Sequence, residues 1–227
     1  MYRDWNSAKV PTKNWYDVLF YESEREFIEI AHYEQSHAIR YGGSGTSNIV
    51  MLGVLLVAML PDNRIVYTQT HFESLIDETK AQYNLFVLSL DDFEKSTITH
   101  RFDPVKITET VRKPSKRLAE FDPINYQNRV KVSEKRASIY KERVYKSPLQ
   151  RIMTDNNYIF AFTFQKNAKE ELFTDVFDAN TGNYLCSAFF PFFPNVIKNG
   201  YVYRITTNED GFPVVEKYKI TPAVYGK

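Results

Sequence analysis

The chain has 227 residues, of which 43% are hydrophobic and 25% are charged, and its formal net charge is +1. This length suffices for one large domain or two small ones with a buried core. The single cysteine, Cys186, excludes an intramolecular disulfide and a cysteine-rich zinc site. It is expected to be a small buried hydrophobe, with a reactive thiol as the alternative. Aromatic residues make up 15% of the chain, which favours strands.

Residues 1–15 lack the apolar segment of a signal peptide, so none is predicted and the chain is expected in the cytoplasm at face value. A first hairpin is predicted from residues 18–21 and 26–30. The most apolar run, residues 49–60, is too short to span a bilayer as a helix, so no membrane span is predicted. Pro61, Asp62 and Asn63 then end the run with a turn signal, which suits a buried strand pair.

Three stretches share one form, a turn rich in Asp, Asn or Gly followed by a strand. They begin at Asp62, Asp155 and Asn199, and their spacings of 93 and 44 residues fit one unit of roughly 45 residues. Further strands are predicted at residues 84–90, 96–100, 172–177, 183–188 and 214–220. The stretch 175–186, "DVFDANTGNYLC", is predicted to be a hairpin whose turn uses the positive φ that Gly182 allows.

Four short strands in each such unit are typical of a β-propeller blade. The predicted fold is therefore all-β, a single propeller domain spanning residues 1–227. It has four-stranded antiparallel blades, about four to five in number. The predicted blade-like units lie near residues 15–60, 61–105, 106–150 (degenerate), 151–194 and 195–220. A polar segment at residues 73–80 is the best helical candidate, predicted as an insertion between two strands.

The stretches "TDVFDANTGNYL", "KNGYVYRI" and "EDGFPVVEKYKI" resemble the closing blades of six-bladed β-propellers related to NHL repeats, a family common among bacterial proteins of unassigned function. The resemblance covers residues 49–102 and 148–220. Six blades need roughly 270 residues, so the chain is expected to have fewer or shorter blades, or to be an incomplete propeller without its N-terminal blade. The resembling motifs are turn and strand positions, so the resemblance implies a fold but no reaction. Relatives in this family are often exported.

Two surfaces are candidates for partner binding. Residues 106–146 hold twelve Lys or Arg against five Asp or Glu, and their ordinary interpretation is a solvated loop or exposed face. The run "FFPFFP" at residues 189–194 is either core or a surface patch that binds a partner. The candidate partner-binding residues are Arg112, Lys113, Lys116, Arg117, Phe192 and Phe193.

Catalytic motifs are missing from the sequence. The glycine-rich residues 41–48 lack the lysine of a phosphate loop, and no G-x-S-x-G elbow occurs. Asp175, Asp178 and Asn180 faintly resemble a calcium loop, but ordinary Asx-turns are favoured. No catalytic residue, metal site or cofactor is predicted. The four histidines are expected to be satisfied surface residues: His32, His37, His71 and His100.

The expected function is non-catalytic binding of a protein or small-molecule ligand through inter-blade loops and the mouth of the propeller channel. One alternative is a propeller-type hydrolase or lyase with a metal at that mouth. Another is binding of RNA or a polyanion through residues 106–146, with Tyr126 and Tyr140 stacking on bases. A third is a partial propeller that has no activity of its own.

Overall fold

The structure is a computed structural model that describes residues 14–22, 27–40, 47–51, 53–71, 81–107 and 145–227. Within these residues the secondary structure is β-strand, apart from a short 3₁₀ helix at Pro222–Tyr225. The strands are β1 (Asn14–Glu22), β2 (Phe27–Arg40), β3 (Ser47–Met51), β4 (Gly53–Leu60), β5 (Arg64–His71), β6 (Gln82–Ser89), β7 (Lys95–Arg101), β8 (Leu149–Asp155), β9 (Tyr158–Lys166), β10 (Leu172–Asp178), β11 (Tyr184–Phe190), β12 (Val196–Lys198), β13 (Tyr201–Thr207) and β14 (Pro213–Lys219). No helix in the described residues has the length and apolar character needed to cross a membrane.

The strands form four antiparallel sheets in chain order. Sheet I contains β1–β3, sheet II β4–β7, sheet III β8–β11 and sheet IV β12–β14. Each strand pairs with its neighbour in sequence, so the sheets are built from hairpins. The predicted all-β antiparallel class is confirmed, and so is the first hairpin, which β1 and β2 form. Among the described residues, sheets II and III have the predicted four strands, whereas sheets I and IV have three.

The three repeated turns occupy the same place in sheets II, III and IV, between the first and second strands. Each uses backbone angles that most residues avoid. The φ angle is 56° at Asp62, 51° at Asn63 and 51° at Asn156. It is 54° at Asn199 and 76° at Gly200. Asn, Asp and Gly tolerate this left-handed region best, which is why the sequence pattern located these turns correctly.

The hairpin predicted at residues 175–186 is also present, as β10 and β11. In its turn Gly182 has a φ of 72°, and the backbone N–H of Asn180 donates to Oδ1 of Asp178 at 2.8 Å. The interpretation of Asp178 and Asn180 as an Asx-turn is therefore confirmed. Asp175 does not belong to the turn, because it lies within β10 with only 2% of its surface exposed.

One predicted boundary is wrong. Sheet II begins at β4 rather than at residue 61, because β4 is hydrogen-bonded to β5. The run 49–60 is apolar apart from Gly53, the first residue of β4, and this single glycine was not recognised as the change from β3 to β4. The run is also not wholly buried, since Val57 and Met59 are exposed. Residues 73–80 and most of the predicted unit at residues 106–150 lie outside the described residues.

The chain groups into two compact units. The first contains sheet I, in which Ala31 and Tyr33 of β2 are buried. In the same sheet the ring of His32 lies edge-on to Tyr16, with 4.6 Å between ring centroids. His32 Nδ1 is 3.5 Å from a carboxylate oxygen of Glu29. His32 is thus a partnered surface histidine, as predicted.

The second unit contains sheets III and IV and, from Leu55 onward, most of sheet II. Strand β9 shows how the three sheets are held together. Its residues Ile159 and Ala161 pack in a core with side chains of sheet II, while Phe160 and Phe162 pack in a second core with Ile197 of sheet IV. Because successive residues of a strand point to opposite faces, sheet III is covered on both sides.

Asp155, the last residue of β8, ties sheet III to sheet IV. The buried carboxylate accepts hydrogen bonds from the backbone N–H groups of Asn199 at 2.6 Å and Gly200 at 2.8 Å. It also accepts one from the hydroxyl of Tyr225 at 2.7 Å. Burial, followed by the hydrogen bond to Asp155, raises the pKa of Tyr225. The hydroxyl therefore stays protonated and keeps its role as a donor.

Candidate functional site

Residues of sheets II and III line a solvent-open cavity of about 300 Å³, here named the Asp175 cavity. This volume lies at the lower end of the range for small-molecule sites in proteins. The lining comes from residues near the ends of β6, β7 and β9 and from β10 and β11. It includes His100, Phe102, Gln165, Phe173, Asp175 and Ser187.

The Asp175 carboxylate is the buried charged group of this cavity. Asp175 and Phe177 alternate with Val176 along β10, and Phe177 belongs to the core shared with sheet II, so Asp175 faces sheet II as well. Its Oδ1 accepts a hydrogen bond from Ser187 Oγ at 2.7 Å. Its Oδ2 accepts one from the Tyr83 hydroxyl of sheet II at 2.8 Å. Two hydroxyl donors therefore fix the carboxylate.

A β-bulge in the β10–β11 pair places a third hydroxyl in the network. The register shifts between Val176, which pairs with Cys186, and Phe177, which pairs with Tyr184. The shift brings the side chains of Tyr184 and Ser187 to one face, with their hydroxyl oxygens 2.7 Å apart. Because the Ser187 proton goes to Asp175, Tyr184 is the donor to Ser187. The chain of hydroxyls thus ends on the carboxylate.

His100 of β7 forms part of the cavity wall. Its Nε2 lies 3.7 Å from Oδ2 of Asp175. Its ring stacks on Tyr184 with centroids 4.6 Å apart and meets the edge of Phe177 at 5.2 Å. The side chain is 22% exposed, so His100 has partners, as predicted, but is half-buried rather than fully on the surface. The packing of sheet II on sheet III, which no local pattern encodes, covers the rest of it.

The environment of Asp175 keeps two neighbouring groups protonated. Burial, followed by the negative charge of Asp175, raises the pKa of the Tyr83 hydroxyl, which therefore remains a donor. The same two causes raise the pKa of the Cys186 thiol. The Cys186 Sγ is half-buried and donates to the carbonyl oxygen of Val224 at 3.4 Å. A raised thiol pKa lowers the thiolate fraction, which favours the structural interpretation of Cys186 over a reactive one.

The combination of Ser187, Asp175 and His100 differs from a serine hydrolase triad. In a triad the serine hydroxyl donates to an imidazole that the carboxylate orients, whereas here the serine donates directly to the carboxylate. The arrangement offers a fixed acceptor rather than an activated nucleophile. No group of three or more His, Cys, Asp or Glu within the described ranges is placed to hold a metal ion.

The residues predicted for partner binding lie elsewhere. Arg112, Lys113, Lys116 and Arg117 are outside the described residues. In the aromatic run, Phe190 is buried. The Phe192 ring packs against Tyr218 at 5.1 Å and under the Arg204 guanidinium at 4.9 Å. Phe193 contacts Phe162 at 5.7 Å and is 39% exposed. The run is therefore divided between core and surface, and its role in partner binding stays a prediction.

Comparison of the chain with protein-family models found no match, and searches of curated proteins and of solved structures found none either. A functional proposal therefore depends on the cavity and its residues. The sequence did not single out Tyr83, Tyr184 or Ser187. The segment "LFTDVFD" did contain a signal, because Asp175 interrupts an apolar strand. A carboxylate buried in such a strand requires hydrogen-bond or charged partners.

Proposed function

We propose that the chain is a non-catalytic binding protein that takes a small polar ligand into the Asp175 cavity. The observation that carries this proposal is the buried carboxylate at the cavity wall. A carboxylate has about four acceptor positions, of which Ser187 and Tyr83 occupy two. The remaining positions are available to a donor group of a ligand. Small-molecule sites commonly combine such a preformed polar group with apolar walls, which Phe102 and Phe173 supply here.

We further propose that the sheets are blades of a β-propeller related to NHL repeats. Three features of the second unit support this proposal. Its sheets are consecutive antiparallel hairpins, their first turns share positive φ angles, and sheet III is covered on both faces by its neighbours. Propeller blades pack against their neighbours in this way around a central channel. On this proposal the Asp175 cavity is a site between two blades.

The other functions expected from the sequence have less support. Binding of RNA or a polyanion depends on residues 106–146, most of which lie outside the described residues, and it stays a prediction. A hydrolase or lyase with a metal at the channel mouth needs a set of ligands that the described residues do not supply. The cavity therefore favours the binding proposal.

Ligand-observed NMR with a library of small polar molecules tests the proposal on the full chain. We expect binders whose affinity falls about tenfold or more, equivalent to about 1.4 kcal/mol, when Phe173→Trp fills part of the cavity. Tyr218→Trp is the matched control, because Tyr218 lies on sheet IV and does not line this cavity. Binding that Phe173→Trp leaves unchanged, or a complete lack of binders, would refute the proposal. Circular dichroism confirms that both variants fold.

A further inference from the structure

We infer that the ligand of the Asp175 cavity carries a positively charged ammonium group that binds the Asp175 carboxylate. The inference rests on the proposed function and adds to it the chemical class of the ligand.

Among the described partners of the carboxylate, neither lysine nor arginine is present, and His100 is the only potential cation. Ser187 and Tyr83 donate hydrogen bonds but bring no charge. His100 Nε2, at 3.7 Å, is within ion-pair distance and brings a positive charge only when the imidazole is protonated, but it is too far to donate a hydrogen bond. A buried carboxylate is stable when a cation and further donors complete its surroundings. An ammonium group supplies one positive charge and up to three donors, so it satisfies both needs at once.

The charges of the lining favour a cation at the deep end of the cavity. Asp175 is buried there, whereas Arg101 and Asp103, which also line the cavity, are exposed to solvent. The Gln165 amide N–H donates to the backbone oxygen of Asp103 at 2.8 Å. That bond leaves the amide oxygen of Gln165 as a further acceptor. A ligand would therefore meet the Asp175 carboxylate with its buried end and the single arginine of the lining only near solvent.

The walls are suited to an organic cation rather than a metal ion. Phe102 and Phe173 line the cavity, and aromatic rings attract ammonium groups through their negative faces. Calcium and magnesium require several oxygen ligands, usually with more than one carboxylate. Only Asp175 provides a buried carboxylate in this lining. An organic ammonium group suits this lining, in which two aromatic rings adjoin several polar side chains, better than a metal ion does.

Three probes with the same cyclohexyl body and different polar groups separate the effect of charge from the fit of the apolar body: cyclohexylamine, cyclohexanol and cyclohexanecarboxylate. We expect cyclohexylamine to bind the full chain at least tenfold more tightly than either other probe, measured by NMR or calorimetric titration. Asp175→Asn should abolish this preference. The matched control Asp178→Asn, which changes an acid in the hairpin turn away from the cavity, should retain it.

The outcomes distinguish the inference from the proposed function. If all three probes bind equally and Phe173→Trp weakens them all, the cavity binds ligands but the ammonium inference is wrong. Preference for the carboxylate likewise overturns the inference and points to Arg101. Failure of cyclohexylamine to bind at millimolar concentration also overturns the inference. The proposed function would still be supported if uncharged library molecules bind and Phe173→Trp weakens their binding. Because the ranking of the three probes is measured on the unmodified chain, that ranking remains decisive if Asp175→Asn does not fold.

Discussion

The hydrogen bond from Tyr83 to Asp175 joins residues that are 92 positions apart in the chain. Burial, followed by the charge of Asp175, raises the pKa of Tyr83 above its ordinary value of 10.0. In the unfolded chain the hydroxyl loses its proton near pH 10, whereas the folded chain retains it at higher pH. Above pH 10 the folded state binds more protons than the unfolded state, so stability falls as pH rises.

Tyr83→Phe should reveal this contribution. Below pH 10 the wild-type chain should be more stable than the variant by about 1–3 kcal/mol, because the hydroxyl donates to a buried charged group. The difference should narrow above pH 10, by at most about 1.4 kcal/mol per pH unit for one proton. Urea denaturation of both proteins at pH 8 to 11 measures it. A difference that stays constant across this range would contradict the assigned role of Tyr83.

The sequence neighbours of Asp175 indicate a carboxylate in an apolar strand, but they do not identify its hydrogen-bond partners. It lies close to Asp178 and Asn180, and the three residues together looked like an acidic turn. The prediction succeeded for Asp178 and Asn180, because an Asx-turn forms between residues two apart. It failed for Asp175, because its partners Ser187 and Tyr83 are set by strand register and by the packing of two sheets. A turn between neighbouring residues can be predicted from the sequence, whereas contacts between strands and between sheets cannot.

Among the elements, the hairpin of β10 and β11 depends on Gly182. Its φ is 72°, and its N–H donates to the Asp178 carbonyl oxygen at 2.8 Å. An added β-carbon would meet Ile98 at 3.6 Å, an ordinary contact. The penalty of a side chain at this position therefore comes from the backbone conformation rather than from crowding.

Gly182→Ala should lower the free energy of unfolding by about 1–2 kcal/mol, because a β-carbon is strained in the left-handed region. Gly182→Asn is the matched comparison and should lower it less, since asparagine tolerates this region. Chemical denaturation of the three proteins gives both values. Equal stability of the alanine variant and the wild type, or a larger loss for asparagine, would contradict this account of the turn.

At the level of strands and turns, the sequence predicted the positions of the turns but not the pairing of every strand. Turns were located correctly because Asp, Asn and Gly mark positive φ, as at Asn199 and Gly200. The assignment of β4 to the wrong sheet had a different cause. Residues 49–60 are apolar apart from Gly53, so hydrophobicity alone predicts strands there but does not say which strand pairs with which. Pairing is a property of the assembled sheet.

At the scale of the whole molecule, the second unit is organised around sheet III. Adjacent residues of β9 fill different cores, with Ile159 packed toward sheet II and Phe160 toward sheet IV. Both side chains are fully buried. A loss of packing on either face therefore weakens the same strand. The two cores should respond as one cooperative structure rather than as two.

Two substitutions on neighbouring residues test this coupling. Ile159→Ala should destabilise the chain by about 2–5 kcal/mol and Phe160→Ala by about 3–5 kcal/mol, through lost contacts and the cavities left behind. Hydrogen exchange should show reduced protection in sheets II, III and IV for both variants, because each weakens the shared sheet. Phe189→Ala is the control, since Phe189 is 49% exposed and should change stability by about 1 kcal/mol or less. If Ile159→Ala left the protection of sheet IV intact, the two cores would be independent and sheet III would not couple them.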